Sequence, residues 1–293
     1  AGGPAGTFFR TKFPRPLIKR SGEHYAPRRG ARQGLDFLSP SGWSMTNATL
    51  PRHIAVIMDG NGRWAKRRGL PRSEGHRAGS EAVRVLVREC RTLGVPFVTV
   101  YAFSKENWQR PQAEVVILFD LFTRFVRDEV PELVERDIRL NMIGDRADLP
   151  FAARRALDYA MKRTASCRGM VFTLALSYSG REEIVRAARA LAAAGLKPEE
   201  CTEERFRREL YAPDLPDPDL LIRTSGELRI SNFLLFQSAY TEMYFSSKLW
   251  PDFDAAELRK ALLSYAERER RFGRTDDGRE KDAGADESAD GGA

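Results

Sequence analysis

The sequence is poor in cysteine and has no long apolar run. Its 293 residues include Cys90, Cys167 and Cys201, and no two of them have C-x-x-C spacing. A zinc site or a disulfide framework is therefore not expected, and a reducing compartment fits better. No stretch approaches the roughly 20 apolar residues that a membrane-spanning helix needs. The motif G-x-x-x-x-G-K-[S/T] is also missing, which excludes a P-loop nucleotide site.

Acidic residues are scarce at the amino-terminal end, where Glu23 and Asp36 are the only two in residues 1–50. This region is rich in Gly, Pro and Arg and keeps no helical or strand period. We interpret it as a disordered basic arm or the remnant of an organelle transit peptide. Residues 274–293 are polar and of low complexity, which predicts a disordered tail. The predicted folded domain is 51–273.

The net charge of +7 and the pI of 9.4 indicate an anionic partner, which could be nucleic acid, a membrane surface or a phosphorylated substrate. A soluble protein with basic tails is the plainer alternative. Nucleic-acid binding would rest on net charge alone, because the basic residues cluster after apolar runs rather than along one face. We therefore do not expect a nucleic-acid partner.

Apolar runs alternate with helical spacing through the predicted domain. The runs are continuous rather than alternating, which is typical of a mostly parallel sheet covered by helices on both faces. Ligands of such sheets bind beyond the carboxyl ends of the strands, so functional residues are expected directly after each run. The predicted strands are Ile54–Met58, Phe97–Ala102, Ile138–Ile143, Met170–Leu176 and Leu220–Ile222, and helical spacing begins near Val83, Leu118, Ala153, Ile184 and Leu258.

The segment HIAVIMDGNGRWAKRRG, which starts at His53, places one acid directly after the first strand. Gly60 and Gly62 formally fit the dinucleotide fingerprint G-x-G-x-x-G/A. However, Asp59 would repel a pyrophosphate unless a metal intervened, and the second strand ends in Phe103-Ser104 rather than in a ribose-binding acid. A dinucleotide-dependent oxidoreductase therefore remains a weaker alternative.

An anion site with a metal explains the same segment better. The glycines would let backbone N–H groups approach phosphate oxygens, and Asp59 would hold Mg²⁺, which favours one or two carboxylates plus substrate phosphates. Cationic side chains follow at Arg63, Arg72, His76 and Arg77, and a second group comprises Arg223, Arg229 and Ser231. Two anion sites predict two phosphorylated substrates. We interpret Lys66, Arg67 and Arg68 as solvated ion pairs.

Five segments together resemble the cis-prenyltransferases, the undecaprenyl and dehydrodolichyl diphosphate synthase family. They are HIAVIMDGNGRWAKRRG, GHRAG, YAFSKENWQRP, LIRTSGELRISNFLLFQSAYTEMYF and WPDF, which occur in this order between about Pro51 and Gly273. The resemblance implies a single α/β domain with a six-stranded sheet ringed by helices, a hydrophobic tunnel and a homodimer. It also implies Mg²⁺-dependent condensation of isopentenyl diphosphate onto an allylic diphosphate, which yields a Z-polyprenyl diphosphate.

The resemblance further assigns roles to residues of this chain. Asp59 and Glu242 would hold Mg²⁺, and Asp59, Ser104, Asn107 and Arg110 would be catalytic. The allylic diphosphate would contact Gly60, Asn61, Gly62, Arg63, Trp64, Arg72, His76, Phe103 and Trp108, whereas isopentenyl diphosphate would contact Arg223, Arg229, Ser231 and Gly273. Phe103, Ser104, Asn107, Trp108 and Arg110 would lie on a mobile loop, and Arg271 with Gly273 would reach the partner's site. Phe119, Phe122 and Phe125 are candidates for the tunnel wall, although core packing explains each one alone.

One segment departs from the family pattern, because SYSGR at residues 177–181 stands where many bacterial members have NYGGR. This form looks more like plant and algal members. With the basic arm it predicts a plastid enzyme, with the cytoplasm as the alternative and peripheral membrane contact through the product. A non-catalytic subunit of a heteromeric synthase is disfavoured, because the metal carboxylate and the arginines are all present. The sequence does not fix product length, for which Ala102, Leu118 and Met170 are candidate positions.

Overall fold

A computed structural model describes residues 50–268, which form one six-stranded sheet flanked by helices. The strands are β1 (His53–Ile57), β2 (Phe97–Ser104), β3 (Ile138–Ile143), β4 (Met170–Tyr178), β5 (Leu220–Arg223) and β6 (Glu242–Phe245). The helices are α1 (Asn61–Arg67), α2 (Arg72–Leu93), α3 (Gln112–Glu135), α4 (Phe151–Arg163), α5 (Gly180–Ala193), α6 (Glu203–Arg207) and α7 (Ala255–Ala266). The predicted tail, Arg271, Gly273 and residues 1–49 of the predicted arm lie outside the described residues.

Every pair of neighbouring strands is parallel, in the order β3-β4-β2-β1-β5-β6. The predicted parallel sheet is therefore confirmed. Register places Ile57 of β1 beside Tyr101 of β2 on one side and Arg223 of β5 on the other. The segments that follow these three strands consequently meet at one edge of the sheet, where a ligand site is expected.

Both faces of the sheet are buried, which explains why the strands read as continuous apolar runs. In β1, Ile54 and Val56 belong to the larger core under α2, α3, α4 and α7, whereas Ala55 and Ile57 belong to a smaller core on the opposite face. Burying a side chain of the size of Ile or Val contributes about 1.5–3 kcal/mol. The central strand is thus fixed from both sides, and the position of the turn after it is fixed as well.

The five apolar runs are all strands, and each helical pattern lies within a helix. Three short elements did not stand out from the pattern, namely α1, α6 and β6. They contain 7, 5 and 4 residues respectively, too few to display a period. Within 50–268 no helix is both long enough and apolar enough to cross a membrane.

Two glycines of the GHRAG segment let α1 pack closely on α2. A Cβ at Gly75 would lie 2.1 Å from the Asn61 carbonyl oxygen, and a Cβ at Gly79 would lie 2.4 Å from Asn61 Oδ1. The turn before α1 requires Gly60, whose φ of 114° favours glycine. These glycines therefore bring the start of α1 against the first turns of α2, which carry Arg72 and His76.

Candidate active site

A cavity of about 660 Å³ opens at the carboxyl ends of β1, β2 and β5. Most of the predicted site residues lie on its wall, although they come from distant parts of the chain. The predicted residues that line it are Asp59, Gly60, Asn61, Gly62, Arg63, Arg72, His76, Phe103, Ser104, Asn107, Arg110, Arg223, Arg229 and Ser231. The strand-end prediction therefore located the cavity correctly.

Buried Arg223 joins the ends of β1 and β5 through an ion pair with the partly exposed Asp59. Its guanidinium donates to Asp59 Oδ2 at 3.0 Å and to Ser231 Oγ at 2.5 Å, and its side chain is 4% exposed. It also donates to the carbonyl of Arg229. Thr224 fixes the Asp59 backbone, because its hydroxyl accepts from the Asp59 amide at 3.0 Å. Since a buried charge is costly without partners, this network holds the guanidinium and the carboxylate in a defined geometry.

Glu227 holds the two more exposed arginines of this side. Arg63 lies 3.3 Å from Asp59 Oδ2 and 3.5 Å from Glu227 Oε1, and Arg229 lies 2.5 Å from Glu227 Oε2. Arg63 also donates to Ser225. An anion that entered the cavity could exchange these carboxylate contacts for its own oxygens, because guanidinium forks suit phosphate.

Glu114 is a site residue that sequence reasoning missed. One carboxylate oxygen lies 3.0 Å from Arg72 Nη1 and the other lies 3.2 Å from Arg110 Nη1. A Cβ at Gly62 would lie 2.9 Å from Arg72 Nε, so this glycine leaves room for the guanidinium. Glu114 therefore pairs two cations that line the cavity. Its one sequence signal is the i,i+4 spacing from Arg110.

His76 faces the cavity in its neutral form. Its Nδ1 lies 3.4 Å from Asn61 Nδ2, whereas its Nε2 is buried without a hydrogen-bond partner among the described residues. Burial, and then the charge of nearby Arg110, lower the pKa of His76 to about 4. A bound anion would favour the protonated imidazole and supply the missing partner.

The inner end of the cavity is apolar. Ala102, Leu118, Phe119, Phe122 and Leu176 line it. Two of the three aromatic candidates for the tunnel wall are thus confirmed as lining residues. The ring of Phe125 instead packs under the Arg84 guanidinium, and Met170 is fully buried away from this wall.

Two predicted contact residues do not line the cavity. The indole of Trp64 points to the far side of α1, where it donates to Asp252 at 2.7 Å and stacks under Arg68. Trp108 lies behind the wall, stacks on Phe119 and packs against Phe103. Neither indole lines the cavity, because the helix or loop face that carries each one turns away, and contact of these two tryptophans with the allylic diphosphate stays a prediction.

The structure also separates some predicted cationic and acidic residues from the site. Glu242 begins β6 beside Leu220, three residues before the Phe245–Arg223 pair, so it lies about 10 Å along the strand from the cavity edge. It pairs with Arg268 at 2.6 Å. Glu242 therefore does not lie beside Asp59 in the described residues, and its predicted role as a metal ligand stays a prediction. Arg77 pairs with Glu74 on the surface, and Arg68 pairs with Asp252, as expected for a solvated ion pair.

Asp59 is the carboxylate that fits a metal. Among residues 50–268 no group of three or more His, Cys, Asp and Glu side chains could hold an ion without other ligands. Asp59 nevertheless lines the cavity beside the arginines, with its side chain 31% exposed. One carboxylate with substrate phosphate oxygens is the donor set that Mg²⁺ favours. The residues therefore fit a Mg²⁺ that a bound diphosphate helps to hold.

The fold and the site define a parallel α/β protein with an anion-binding cavity at its strand ends. The family described as "Putative undecaprenyl diphosphate synthase" matches residues 57–273. An isoprenyl transferase of Clostridium perfringens is 46% identical over 249 residues, which cover 82% of this chain and 98% of that protein. One from Geobacter sulfurreducens is 52% identical over 230 residues, or 77% and 94% of the two chains.

Two solved structures of prenyl diphosphate synthases are similar to this chain in fold and in sequence. Lavandulyl diphosphate synthase from Lavandula x intermedia, in complex with dimethylallyl diphosphate, aligns with a TM-score of 0.76 at 41% identity over 78% of this chain and all of that one. A probable undecaprenyl diphosphate synthase from Campylobacter jejuni aligns with a TM-score of 0.66 at 31% identity over the same shares. The chain belongs to the cis-prenyltransferase family and is a prenyltransferase.

Proposed function

We propose that the chain condenses isopentenyl diphosphate onto an allylic diphosphate primer, with Mg²⁺, to give a Z-polyprenyl diphosphate and free diphosphate. The observation that carries this proposal is the cavity itself. Asp59 sits between Arg63 and Arg223 at one end, and an apolar wall forms the other end. A substrate with an anionic head and a hydrocarbon tail matches both ends.

Two cationic groups would bind the two diphosphates. Arg63, Arg72 and His76, beside the turn before α1, would take the allylic diphosphate. Arg223, Arg229 and Ser231 would take isopentenyl diphosphate. The similar lavandulyl diphosphate synthase structure supports an allylic substrate, because it is a complex with dimethylallyl diphosphate. Glu114 would keep Arg72 and Arg110 oriented between turnovers.

In this reaction the allylic C1–O bond breaks and diphosphate leaves, the C4 atom of the isopentenyl unit bonds to that carbon, and the C2 proton passes to an oxygen of the departing diphosphate. Arg63 and Arg72 would stabilise the charge that develops on the leaving diphosphate. Mg²⁺ bound at Asp59 would supply further neutralisation of that charge. Ser104 and Asn107 would orient the isopentenyl unit for proton loss, and Phe119 and Phe122 would keep water from the cation and bind the growing chain.

Incorporation of labelled isopentenyl diphosphate tests the proposal. The wild type, Mg²⁺ and geranyl, neryl, farnesyl or geranylgeranyl diphosphate should give extended products, which mass analysis would identify. Asp59→Ala should lose at least about a thousandfold in rate. Asp120→Ala, which removes an exposed acid of α3, should match the wild type. An inactive wild type, or a fully active Asp59→Ala variant, would refute the proposal.

We infer two further properties that rest on the sequence. The acid-poor residues 1–50 and the SYSGR segment support a plastid location, although the curated relatives named above are bacterial. The family resemblance supports a homodimer, with peripheral membrane contact through the product. A fluorescent fusion to residues 1–50 tests the location, light scattering tests the dimer, and vesicle flotation with product tests the contact.

A further inference from the structure

A lysine outside the cavity binds three acids from two other segments. Lys105 is the first residue of the 3₁₀ helix Lys105–Gln109, which directly follows β2. Its Nζ lies 2.7 Å from Glu182 Oε1, 3.2 Å from Asp148 Oδ2 and 3.6 Å from Asp145 Oδ2. Asp145 and Asp148 belong to the turn after β3, and Glu182 belongs to the first turn of α5 after β4. One ammonium group thus joins the ends of three adjacent strands.

Trp108 provides a second link to the same acids. Its indole N–H donates to Ser177 Oγ at 2.9 Å, and that hydroxyl donates to Asp148 Oδ2 at 2.6 Å. Ser177 is buried with a φ of 45°, a conformation that non-glycine residues rarely adopt without support. Asp148 therefore binds the 3₁₀ helix at two points, Lys105 directly and Trp108 through Ser177 of β4.

Glu106 is anchored from the opposite side. Asn232, in the segment after β5, donates from Nδ2 to Glu106 Oε1 at 2.9 Å and to Ser179 Oγ at 2.8 Å. The anchored residues Lys105 and Trp108 alternate with Ser104, Asn107 and Arg110, which line the cavity. Because both groups belong to one short segment, contacts that hold Lys105 and Trp108 also constrain the backbone that carries Ser104, Asn107 and Arg110.

We propose that Lys105, with Asp145, Asp148 and Glu182, forms an electrostatic latch that positions the loop after β2 for turnover. This inference rests on the proposed function, and Lys105 acts as a positioning residue rather than by contact with substrate. Burial lowers the pKa of Lys105, but Glu182 and Asp148 outweigh that effect and raise it, so the group stays charged at neutral pH. Without this charge three carboxylates would repel one another at the base of the loop.

Two residues of the SYSGR segment carry contacts that hold the same loop. Ser177 and Ser179 each supply a hydroxyl that carries one of the links described above. Members with Asn and Gly at these two positions cannot form the same hydroxyl contacts. The departure from the family pattern thus coincides with the segment that holds the loop.

Lys105→Gln is the direct test, because glutamine keeps a polar side chain of similar reach but carries no charge. Lys105→Arg restores the charge. Lys248→Gln is the matched control, since Lys248 lies 3.0 Å from Asp254, is 33% exposed against 26% for Lys105, and follows the edge strand β6. Three quantities are compared: kcat with both KM values, hydrogen exchange of residues 104–111, and Tm.

We expect Lys105→Gln to lower kcat about tenfold at nearly unchanged KM, because misplaced reacting groups cost rate. Exchange in residues 104–111 should accelerate by about tenfold while the central strands stay protected. Lys105→Arg should recover most of both losses, and Lys248→Gln should resemble the wild type. Asp148→Asn, which weakens both links, serves as a second variant if Lys105→Gln folds poorly.

Two outcomes would overturn the latch: kcat and loop exchange that equal the wild type, or exchange that rises equally across the whole domain. The second would mean that Lys105 only stabilises the fold. A wild type without prenyl transfer would instead refute the proposed function, and the exchange comparison would still decide whether Lys105 holds the loop.

Discussion

The two ends of the cavity differ in chemistry and in what holds them in place. At the mouth each charged side chain is fixed by another charge, as Arg223 is by Asp59 and Arg72 is by Glu114. At the inner end Leu118 and Phe122 are held by packing on one face of α3. This difference predicts that the two ends of the cavity control two different properties of the enzyme. Changes at the mouth should alter rate, whereas changes at the inner end should alter which product fits.

Apart from the loss of Asp59 itself, the largest effect at the mouth is expected for Arg223→Lys. Lysine keeps the charge but cannot reach Asp59, Ser231 and the Arg229 carbonyl together, so a buried charge network loses donors. The kcat/KM for isopentenyl diphosphate should fall about a hundredfold or more, or about 3 kcal/mol in transition-state binding. Steady-state kinetics measure this. Arg77→Lys, whose side chain is 71% exposed, is the control, and an equal loss in both variants would contradict the account.

Glu114→Gln should act on kcat and spare KM. The change frees Arg72 and Arg110 from their shared carboxylate, so both guanidinium groups lose orientation. The same change adds one unit of positive charge near the anion sites, which favours diphosphate binding. We expect kcat to fall about tenfold while KM for the allylic substrate stays equal or decreases. Glu89→Gln, which breaks the Arg259 pair, should change neither constant, and a raised KM in Glu114→Gln would count against this assignment.

Phe122→Ala tests the inner end. Removal of the ring enlarges the apolar wall, so longer products should accumulate while the initial rate stays within about threefold of the wild type. Phe125→Ala is the matched control, because that ring packs under Arg84 and does not line the cavity. Mass analysis of products from one primer separates the two variants. Identical product lengths in both would show that this wall does not limit the chain.

The smallest effect is a proton uptake at His76. Its pKa of about 4 leaves the free imidazole neutral at pH 6, and a bound diphosphate should raise that pKa through charge attraction. Binding at pH 6 should therefore take up a fraction of one proton that is absent at pH 8. Calorimetry in buffers of different ionisation enthalpy measures the uptake. Subtracting the proton uptake of the His76→Asn variant removes the contribution of the ligand's own titration. Equal proton uptake by both proteins would refute the assignment to His76.

The mouth of the cavity was largely predictable from sequence, and the reason is geometric. Continuous apolar runs predict parallel strands, and parallel strands place the residues after them at one edge of the sheet. Asp59, Ser104 and Arg223 follow three such runs. Their proximity can therefore be predicted without any knowledge of side-chain contacts.

The positions of the other side chains around the site depend on tertiary packing, which local sequence patterns do not predict. Glu114 lies inside α3, where its charge resembles any solvated helix position until α2 brings Arg72 beside it. The direction of the Trp64 side chain could not be predicted, because the sequence of a seven-residue helix does not reveal which face it buries. The distance of Glu242 from the cavity could not be predicted, because the register of a four-residue edge strand decides which end of the sheet this residue occupies.

The central claim is that Asp59 brings a metal-neutralised diphosphate among the arginines of the mouth. Single-turnover rates of the wild type and Asp59→Asn over a Mg²⁺ titration, with an allylic primer and isopentenyl diphosphate, test it most directly. The account predicts a saturable Mg²⁺ dependence for the wild type, and for Asp59→Asn a rate lower by at least about a thousandfold at every Mg²⁺ concentration. An Asp59→Asn variant that reaches the wild-type rate at any Mg²⁺ concentration would contradict it.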